Sequence, residues 1–275
     1  MQETIKPRHI SLFFSAILTS LLDAGGNLFV NYGGWFILFQ FFVVKRTPDF
    51  SIILDLSKKN CRRMHVERRY ELGTYRLIRR MANVCDAFID GGAHVGYFSK
   101  LATPLYRKVV AVEASADNYR LLKRNVAPEV LCYQAALFSK NGHVVFYENA
   151  DSDGGHSLYP GNVKRIRASN KVCTVTLETI IREHPDANKR DIFLVKLDIQ
   201  GAELDALNDV DESRHNLFFI CELWDNKRTI FKWFIERGYV AYLIKRKLYK
   251  YTCDALEIPS GNYFFVPQKL QHLVT

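Results

Sequence analysis

The sequence lacks any CxxC pair and any Asn-x-Ser/Thr sequon, although it contains six cysteines. The cysteines occur singly, at Cys61, Cys85, Cys132, Cys173, Cys221 and Cys253. Isolated cysteines argue against a zinc ribbon, an iron–sulfur site and a disulfide-stapled secreted scaffold. We therefore expect a reducing compartment, and the cytoplasm is the predicted location.

Internal repeats and low-complexity segments are also missing from the 275 residues, of which 48% are hydrophobic and 24% charged. This composition is typical of a chain with one large domain and an additional segment. Lysine and arginine number 38 against 29 acidic residues, a formal net charge of +9. The basic residues concentrate at 58–80 and 245–247. They form either a solvated face or a surface that attracts an anionic partner, such as a membrane or nucleic acid.

The apolar segment at residues 10–44 has no uninterrupted hydrophobic run long enough for a clear membrane span. A spanning helix needs roughly 20 apolar residues, and each half of this segment meets glycine, asparagine or Asp23 before reaching that length. The segment either forms apolar helices packed on the folded domain or associates with a membrane. The basic residues that follow favour a cytoplasmic main domain. We predict a boundary between residues 1–46 and 47–275.

From residue 50 onward, apolar runs of strand length alternate with segments of helical periodicity. The predicted strands include the start of AFIDGG, VVAVEA, VLCYQAAL, IFLVKLDI and LFFICELW. RMHVE is a further candidate strand, and HVVFYE is predicted to pair with a neighbouring strand. This alternation indicates an α/β fold, a mostly parallel sheet with helices on both faces.

The run Phe88 to Gly96, FIDGGAHVG, places a glycine turn after a strand. In an open parallel sheet, ligands bind outside the carboxyl ends of the strands. Gly92 and Gly96 allow a tight turn and a close approach of ligand to backbone. The spacing Asp-x-Gly-x-x-x-Gly differs from the dinucleotide fingerprint G-x-G-x-x-G. Asp90, at the end of the strand, favours a cationic or amine-bearing ligand.

A second carboxylate, Glu113, ends the next predicted strand, VVAVE. It follows the glycine turn by about 20 residues, the offset at which an acidic side chain holds a ribose diol. Together, the turn and Glu113 indicate an adenosine pocket. The alternative interpretation is that Asp90 and Glu113 only cap helices.

Five segments carry a resemblance to a known family: YELGT at 70–74, FIDGGAHVGYFS at 88–99, AVEAS at 111–115, VTLETII at 175–181 and VKLDIQGAE at 195–203. With these, the chain resembles the FkbM-type S-adenosylmethionine-dependent methyltransferases over most of residues 51–266. The resemblance implies a class I methyltransferase (Rossmann-like) sheet preceded by the apolar N-terminal segment. It also implies S-adenosyl-L-methionine as methyl donor and O-methylation of a hydroxyl on a small carbohydrate-like or lipid-linked acceptor. The sequence departs from the family pattern at His94, Ala114 and Gln200, where Asn, Pro and Glu are common.

The resemblance also implies roles for individual residues. The glycine turn would surround the amino acid end of the cofactor, Glu113 would accept from the ribose hydroxyls, and two alanines would line the adenine slot. The implied cofactor-binding residues are Asp90, Gly92, Ala93, His94, Gly96, Glu113, Ala135 and Ala136. Asp198, at the end of the central strand, would lie beside the transferring methyl.

Methyl transfer to a hydroxyl needs a group that takes the proton as the new bond forms. The candidate catalytic residues are Asp198, Glu222, Glu203 and His156. Asp198 and Glu222 follow neighbouring predicted strands and should open into one cleft. Glu203 could instead be a first-turn helix acid, His156 an ordinary loop residue, and Lys196 an inward partner of a carboxylate. Asp198 and Glu222 suit magnesium, but no third ligand is evident, so we predict no metal.

Three other functions compete with this one. An RNA ribose methyltransferase would use the basic stretch, but its Lys-Asp-Lys-Glu set has only two secure members here, Asp198 and Glu222, so nucleic acid is not the expected partner. A non-catalytic adenosyl-binding or membrane scaffold module would account for the departures at His94 and Gln200. A nicotinamide dehydrogenase lacks its third glycine. The expected partners are a small-molecule hydroxyl acceptor and a membrane surface, contacted through residues 10–44 and the basic stretch.

Overall fold

A computed structural model describes residues 29–32, 35–38, 42–183, 191–208, 210–211, 215–224, 226–251 and 258–274. The chain divides into two compact units, residues 1–68 and 69–275, whereas the sequence predicts a boundary at 46/47. Most of the segment 10–44 lies outside the described residues, so the structure does not address the hypothesis that this segment associates with a membrane. No helix in the described ranges combines the length and apolar character needed to cross a bilayer.

The first unit contains two antiparallel strand pairs and a helix. Strand β1 (Phe29–Tyr32) pairs with β2 (Trp35–Leu38), and β3 (Phe42–Arg46) pairs with β4 (Ser51–Asp55). The prediction of apolar helices is therefore wrong for these stretches, because β-branched and aromatic residues favour extended backbone. The candidate strand RMHVE is also wrong, since it lies in helix α1 (Lys59–Val66). Cys61 and Met64 are both buried there, at the i, i+3 spacing of one helix face.

The second unit is built on an eight-stranded sheet. Its strands, in chain order, are β5 (Ala87–Gly91), β6 (Lys108–Val112), β7 (Leu131–Tyr133), β11 (Ile192–Leu197), β12 (Asn216–Leu223), β13 (Tyr239–Ile244), β14 (Leu248–Tyr251) and β15 (Gly261–Pro267). The spatial order is β14-β13-β15-β12-β11-β5-β6-β7. Strands β7, β6, β5, β11 and β12 are parallel neighbours, and β15 is antiparallel to β12 and β13. The predicted, mostly parallel α/β sheet is confirmed.

Helices accompany the sheet along the chain. They are α2 (Leu72–Met81), α3 (Tyr97–Ala102), α4 (Ala116–Asn125), α5 (Leu177–Glu183), α6 (Glu203–Leu207) and α7 (Lys227–Glu236), with 3₁₀ turns at Pro160–Asn162 and Gln268–Leu273. The central strands are buried along their whole length, as expected of a sheet covered on both faces. An aromatic cluster fills part of the core, with Phe234 stacked on Phe265 at 3.8 Å between ring centroids.

A separate three-stranded sheet contains β8 (Ala136–Leu137), β9 (Gly142–Asn149) and β10 (Ile166–Val175). The segment HVVFYE belongs to β9, which pairs antiparallel with β10. The connection between β9 and β10, residues 150–165, carries His156 and is called the connecting loop below.

The strand order changes direction between β5 and β11. Chain order proceeds from β5 through β6 to β7 on one side, and from β11 to β12 on the other. A crevice opens at such a switch point, outside the carboxyl ends of the strands. The turns that follow β5 and β11 are therefore where a ligand site should be sought.

Candidate active site

The glycine turn after β5 is tied to both neighbouring strands. The backbone N–H groups of Gly92 and Ala93 both donate to Val112 O at 3.0 Å, and Asp198 N donates to Gly91 O at 3.1 Å. Gly92 has φ +75°, and a Cβ atom there would lie 1.9 Å from Asp198 O. Only glycine fits this contact, which brings the end of β5 against the end of β11.

Asp90 is buried just before the turn. Its Oδ2 accepts a hydrogen bond from Ser99 Oγ at 2.6 Å. Its Oδ1 has no hydrogen-bond partner among the described residues and lies 3.8 Å from Lys196 Nζ. Burial raises the pKa of Asp90, and the charge of Lys196 opposes the shift. A buried carboxylate oxygen without a hydrogen bond fits a ligand that brings an ammonium group.

Glu113 follows β6 and is also buried. Its Oε2 accepts from His94 N and its Oε1 from Ser115 N, both at 2.8 Å. Burial raises the pKa of Glu113, while His94 and these N–H donors oppose the shift. Glu113 therefore holds the glycine turn against the end of β6, and its contact with a ribose hydroxyl stays a prediction.

Three alanines of the predicted cofactor set lie around these strand ends. Ala93 belongs to the glycine turn, and Ala135 and Ala136 lie at the start of β8; all three are buried. Burial of small side chains here is compatible with a flat ligand above them. Their contact with an adenine ring stays a prediction.

His94 connects the glycine turn to the connecting loop. Its Nε2 lies 2.9 Å from Asp153 Oδ2, and Asn118 Nδ2 donates to Asp153 O at 2.8 Å. Burial alone would lower the pKa of His94, but the hydrogen bond and charge of Asp153 outweigh it and raise the pKa. The residue that departs from the family pattern at position 94 therefore has a hydrogen-bonding partner 59 residues away in the sequence.

Asp198 and Glu222 meet across the ends of β11 and β12, as the sequence predicts. Gln200 Nε2 donates to both carboxylates, at 2.9 Å to Asp198 Oδ1 and 3.0 Å to Glu222 Oε2. Lys196 Nζ donates to Asp198 Oδ2 at 3.1 Å. Gln200, a second departure from the family pattern, therefore links the two carboxyl groups through hydrogen bonds from its side-chain amide.

The two carboxyl groups of the pair have opposite pKa shifts. Burial alone would raise the pKa of Asp198, but the charge of Lys196 and hydrogen bonds from Glu222 and Gln200 hold it below its usual value. Burial raises the pKa of Glu222 to about 9, the negative charge of Asp198 adds to this, and a hydrogen bond from Trp224 opposes it. At neutral pH, Asp198 is therefore ionised and Glu222 protonated, so the pair holds one proton.

Glu203 lies beside the carboxylate pair but supports the backbone. Its oxygens accept from Ile199 N at 3.1 Å and from Gly201 N at 3.0 Å. Burial raises the pKa of Glu203 to about 7. This geometry matches the alternative interpretation, a first-turn acid of α6, and it holds the turn that carries Gln200.

His156 lies in the connecting loop, where its Nδ1 accepts from Asn149 N at 2.8 Å. Burial lowers the pKa of His156 to about 4. The imidazole is therefore neutral at pH 7, with one nitrogen engaged by the backbone. No described hydrogen bond joins it to Asp198 or Glu222, so the structure does not bring it together with the carboxylate pair.

Two further residues, Glu71 and Asn262, lie near this site and were not predicted from the sequence. Glu71 has a left-handed backbone (φ +46°) and accepts from Asn262 Nδ2 at 3.1 Å. Its charge contributes to the raised pKa of Glu222, behind burial and Asp198. The segment YELGT contains Glu71, but nothing local links it to a partner 191 residues away.

A small pocket opens beside the carboxylate pair. It is lined by Asn162, Gln200, Gly201, Glu203, Glu222 and Trp224. Asn162 Nδ2 and Ser157 Oγ both donate to Gln200 O, at 3.1 and 2.7 Å. The connecting loop therefore forms one wall of this pocket and the end of β12 forms the other.

The strand order and the two turns together define the class of protein. Six strands that run in one direction, an antiparallel β15 inserted between two of them, β12 and β13, and an acid–glycine turn at the switch point constitute the class I methyltransferase fold. The family profile described as "Methyltransferase FkbM domain" matches residues 90–241, more than half of the chain. The chain belongs to the FkbM methyltransferase family and is an S-adenosylmethionine-dependent methyltransferase.

The chain is also similar to individual methyltransferases. The methyltransferase sdnD of Sordaria araneosa is 27% identical over 216 residues, which cover 66% of this chain and 81% of that protein. The crystal structure of methyltransferase FkbM from Methylobacillus flagellatus KT is 16% identical, with a TM-score of 0.42, and covers 66% of this chain and 43% of its own. The structure of an rRNA methylase from Streptococcus thermophilus is 10% identical, with a TM-score of 0.41, and the match covers 72% of this chain and 97% of that protein.

Replacing either donor-site carboxylate should weaken binding of S-adenosylmethionine. We expect Asp90→Ala and Glu113→Ala each to cost about 1–3 kcal/mol, the scale for leaving a polar ligand group unpaired. Calorimetric titration measures the effect, with Glu129→Ala, an exposed loop position, as control. Unchanged affinity in both variants would contradict the assignment of the donor pocket.

Proposed function

We propose that the chain transfers the methyl group of S-adenosylmethionine to a hydroxyl of a small carbohydrate-like or lipid-linked acceptor. The observation that carries this proposal is the Asp198–Glu222 pair, bridged by Gln200 and placed directly against the glycine turn. A hydroxyl must lose its proton when it is methylated, and an ionised carboxylate at this position can take it.

Each residue of the pair has a distinct part in this reaction. The donor, when bound, supplies an electrophilic methyl group on a sulfonium. Asp198, ionised through Lys196, accepts the proton of the attacking hydroxyl, and Glu222 donates a hydrogen bond within the pair. Gln200 fixes the distance between the two carboxyl groups. Lys196, buried between Asp90 and Asp198, balances their charge.

The proposal makes a prediction about pH. Glu222 loses its proton near pH 9, and the added negative charge makes Asp198 a stronger base, so the transfer rate should rise through that region. Glu222→Gln should abolish the rise, whereas Glu129→Gln should keep it. The measurement is transfer of labelled methyl to alcohols, scored as an alkali-stable ether. The proposal fails if the label enters only esters or amines. It also fails if the wild type, Glu222→Gln and Glu129→Gln show the same dependence of transfer rate on pH.

We also propose that the first unit contacts an anionic membrane surface. Three hydrophobic side chains, Phe42, Val44 and Val66, are exposed in this unit, and so are Lys59, Arg62 and Arg63 on α1. Apolar contact combined with basic residues is the pair of signals that holds a protein at a membrane surface. Cosedimentation with anionic vesicles, and its absence with neutral vesicles, is the expected result.

A further inference from the structure

The side chain of Trp224 is exposed to solvent at the edge of the pocket beside the carboxylate pair. It follows Glu222 by two residues, lines the pocket beside the carboxylate pair, and is 57% exposed. The other tryptophan whose side chain is described, Trp233, is 7% exposed and lies under the guanidinium of Arg237. A single exposed apolar residue needs no explanation. An aromatic side chain beside a few polar groups that converge on one pocket is, however, a combination found in ligand sites.

Asn162 forms the opposite wall of the pocket. Its Nδ2 donates to Gln200 O at 3.1 Å, and this is the one hydrogen bond that the Asn162 side chain makes within the described residues. A Cβ atom on Gly201 would lie 2.1 Å from that nitrogen. Gly201, with φ +106°, is therefore required for Asn162 to approach the turn. The amide oxygen of Asn162 is left to accept a hydrogen bond from a ligand.

The charges around the pocket favour a neutral occupant. Glu203 is occupied by backbone N–H donors, Asp198 is paired with Lys196, and Glu222 is protonated at neutral pH. The groups left to recognise a ligand are an indole face, an amide and a carboxyl group. These suit a ring with one apolar face and hydroxyls on its rim, because the indole covers the face while the polar groups bind the rim.

We propose that Trp224 and Asn162 are the specificity-determining residues for the acceptor. The indole of Trp224 stacks on an apolar ring face of the acceptor, and the amide of Asn162 binds a hydroxyl next to the one that is methylated. This inference rests on the proposed O-methyl transfer at the Asp198–Glu222 pair. Beyond that function, the inference assigns two selections: Trp224 selects a ring over an open-chain alcohol, and Asn162 selects a diol over a single hydroxyl.

The test uses the full chain with labelled S-adenosylmethionine and four probes: methyl α-mannopyranoside, cyclohexane-1,2-diol, cyclohexanol and glycerol. We expect Trp224→Ala to raise KM for the ring probes at least tenfold while donor affinity is unchanged. Trp224→Phe should restore most of the loss. Tyr249→Ala is the matched control, since Tyr249 is an aromatic residue 54% exposed on strand β14.

Asn162→Ala should remove the preference for cyclohexane-1,2-diol over cyclohexanol, since the second hydroxyl loses its partner. Saturation-transfer NMR on the same variants with S-adenosylhomocysteine present reports ring binding without turnover. Equal NMR signals from the wild type and Trp224→Ala, or kinetics that match Tyr249→Ala, would overturn the inference. Transfer to glycerol as good as transfer to the rings would overturn it while leaving O-methylation intact. Ring binding without any methyl ether product would contradict the proposed function instead.

Discussion

Asp198→Asn is expected to lower the rate of methyl transfer about 10²- to 10⁴-fold, the usual contribution of a positioned base. Its affinity for S-adenosylmethionine should stay nearly unchanged. The Asp198 side chain faces Lys196 and Gln200, at 3.1 and 2.9 Å, while the carboxylates predicted to bind the donor lie on β5 and directly after β6. A group that acts on the acceptor proton contributes mainly in the transition state. Single-turnover rates and calorimetric donor affinities separate the two effects.

The control for this variant is Asp117→Asn, an aspartate in the first turn of α4. Thermal unfolding should be measured beside the kinetics, because the substitution removes one of the two carboxylates that form ion pairs with the buried Lys196. Asp90 remains as a partner, so we expect the variant to fold. Equal losses of rate and donor affinity would show that Asp198 is a donor contact rather than a base.

Gly92→Val should abolish donor binding. The reason lies in the chain itself, because a Cβ atom at position 92 would lie 1.9 Å from Asp198 O and 2.9 Å from Asp198 C. The left-handed φ of +75° adds strain for a β-branched residue. The glycine turn must then move away from β11, which separates the donor pocket from the carboxylate pair. Titration calorimetry measures binding, and circular dichroism checks the fold.

Gly161→Val provides the matched control, because a Cβ atom at Gly161 would meet nothing within 4 Å. It should retain the donor affinity of the wild type. Normal donor binding by Gly92→Val would mean that the turn tolerates displacement and that its glycines serve only helix packing.

The sheet was predictable because its signals are local. Apolar runs such as those of β5, β6, β11 and β12 are buried along their length, and a buried strand leaves that pattern without reference to the rest of the chain. The pattern was ambiguous for RMHVE, whose Met64 is buried on the same face of α1 as Cys61 two residues before the segment. Five residues do not distinguish a strand from one turn and a half of helix.

The location of the site also followed from the residues themselves. Asp90, Glu113, Asp198 and Glu222 each stand at or just beyond the end of an apolar run, and the carboxyl ends of parallel strands share one edge of the sheet. The sequence therefore placed these four carboxylates together. It could not assign their protonation states, because these depend on burial and on which charges lie opposite.

Hydrogen-bond partners were decided by the tertiary structure alone. His94 pairs with Asp153 across 59 residues, and Glu71 meets Asn262 across 191. Strand position is encoded by the period of neighbouring side chains, which a short window of sequence contains. The pairing of side chains depends instead on the order of strands in the sheet and on how the loops pack over their ends, and no local pattern specifies either of these.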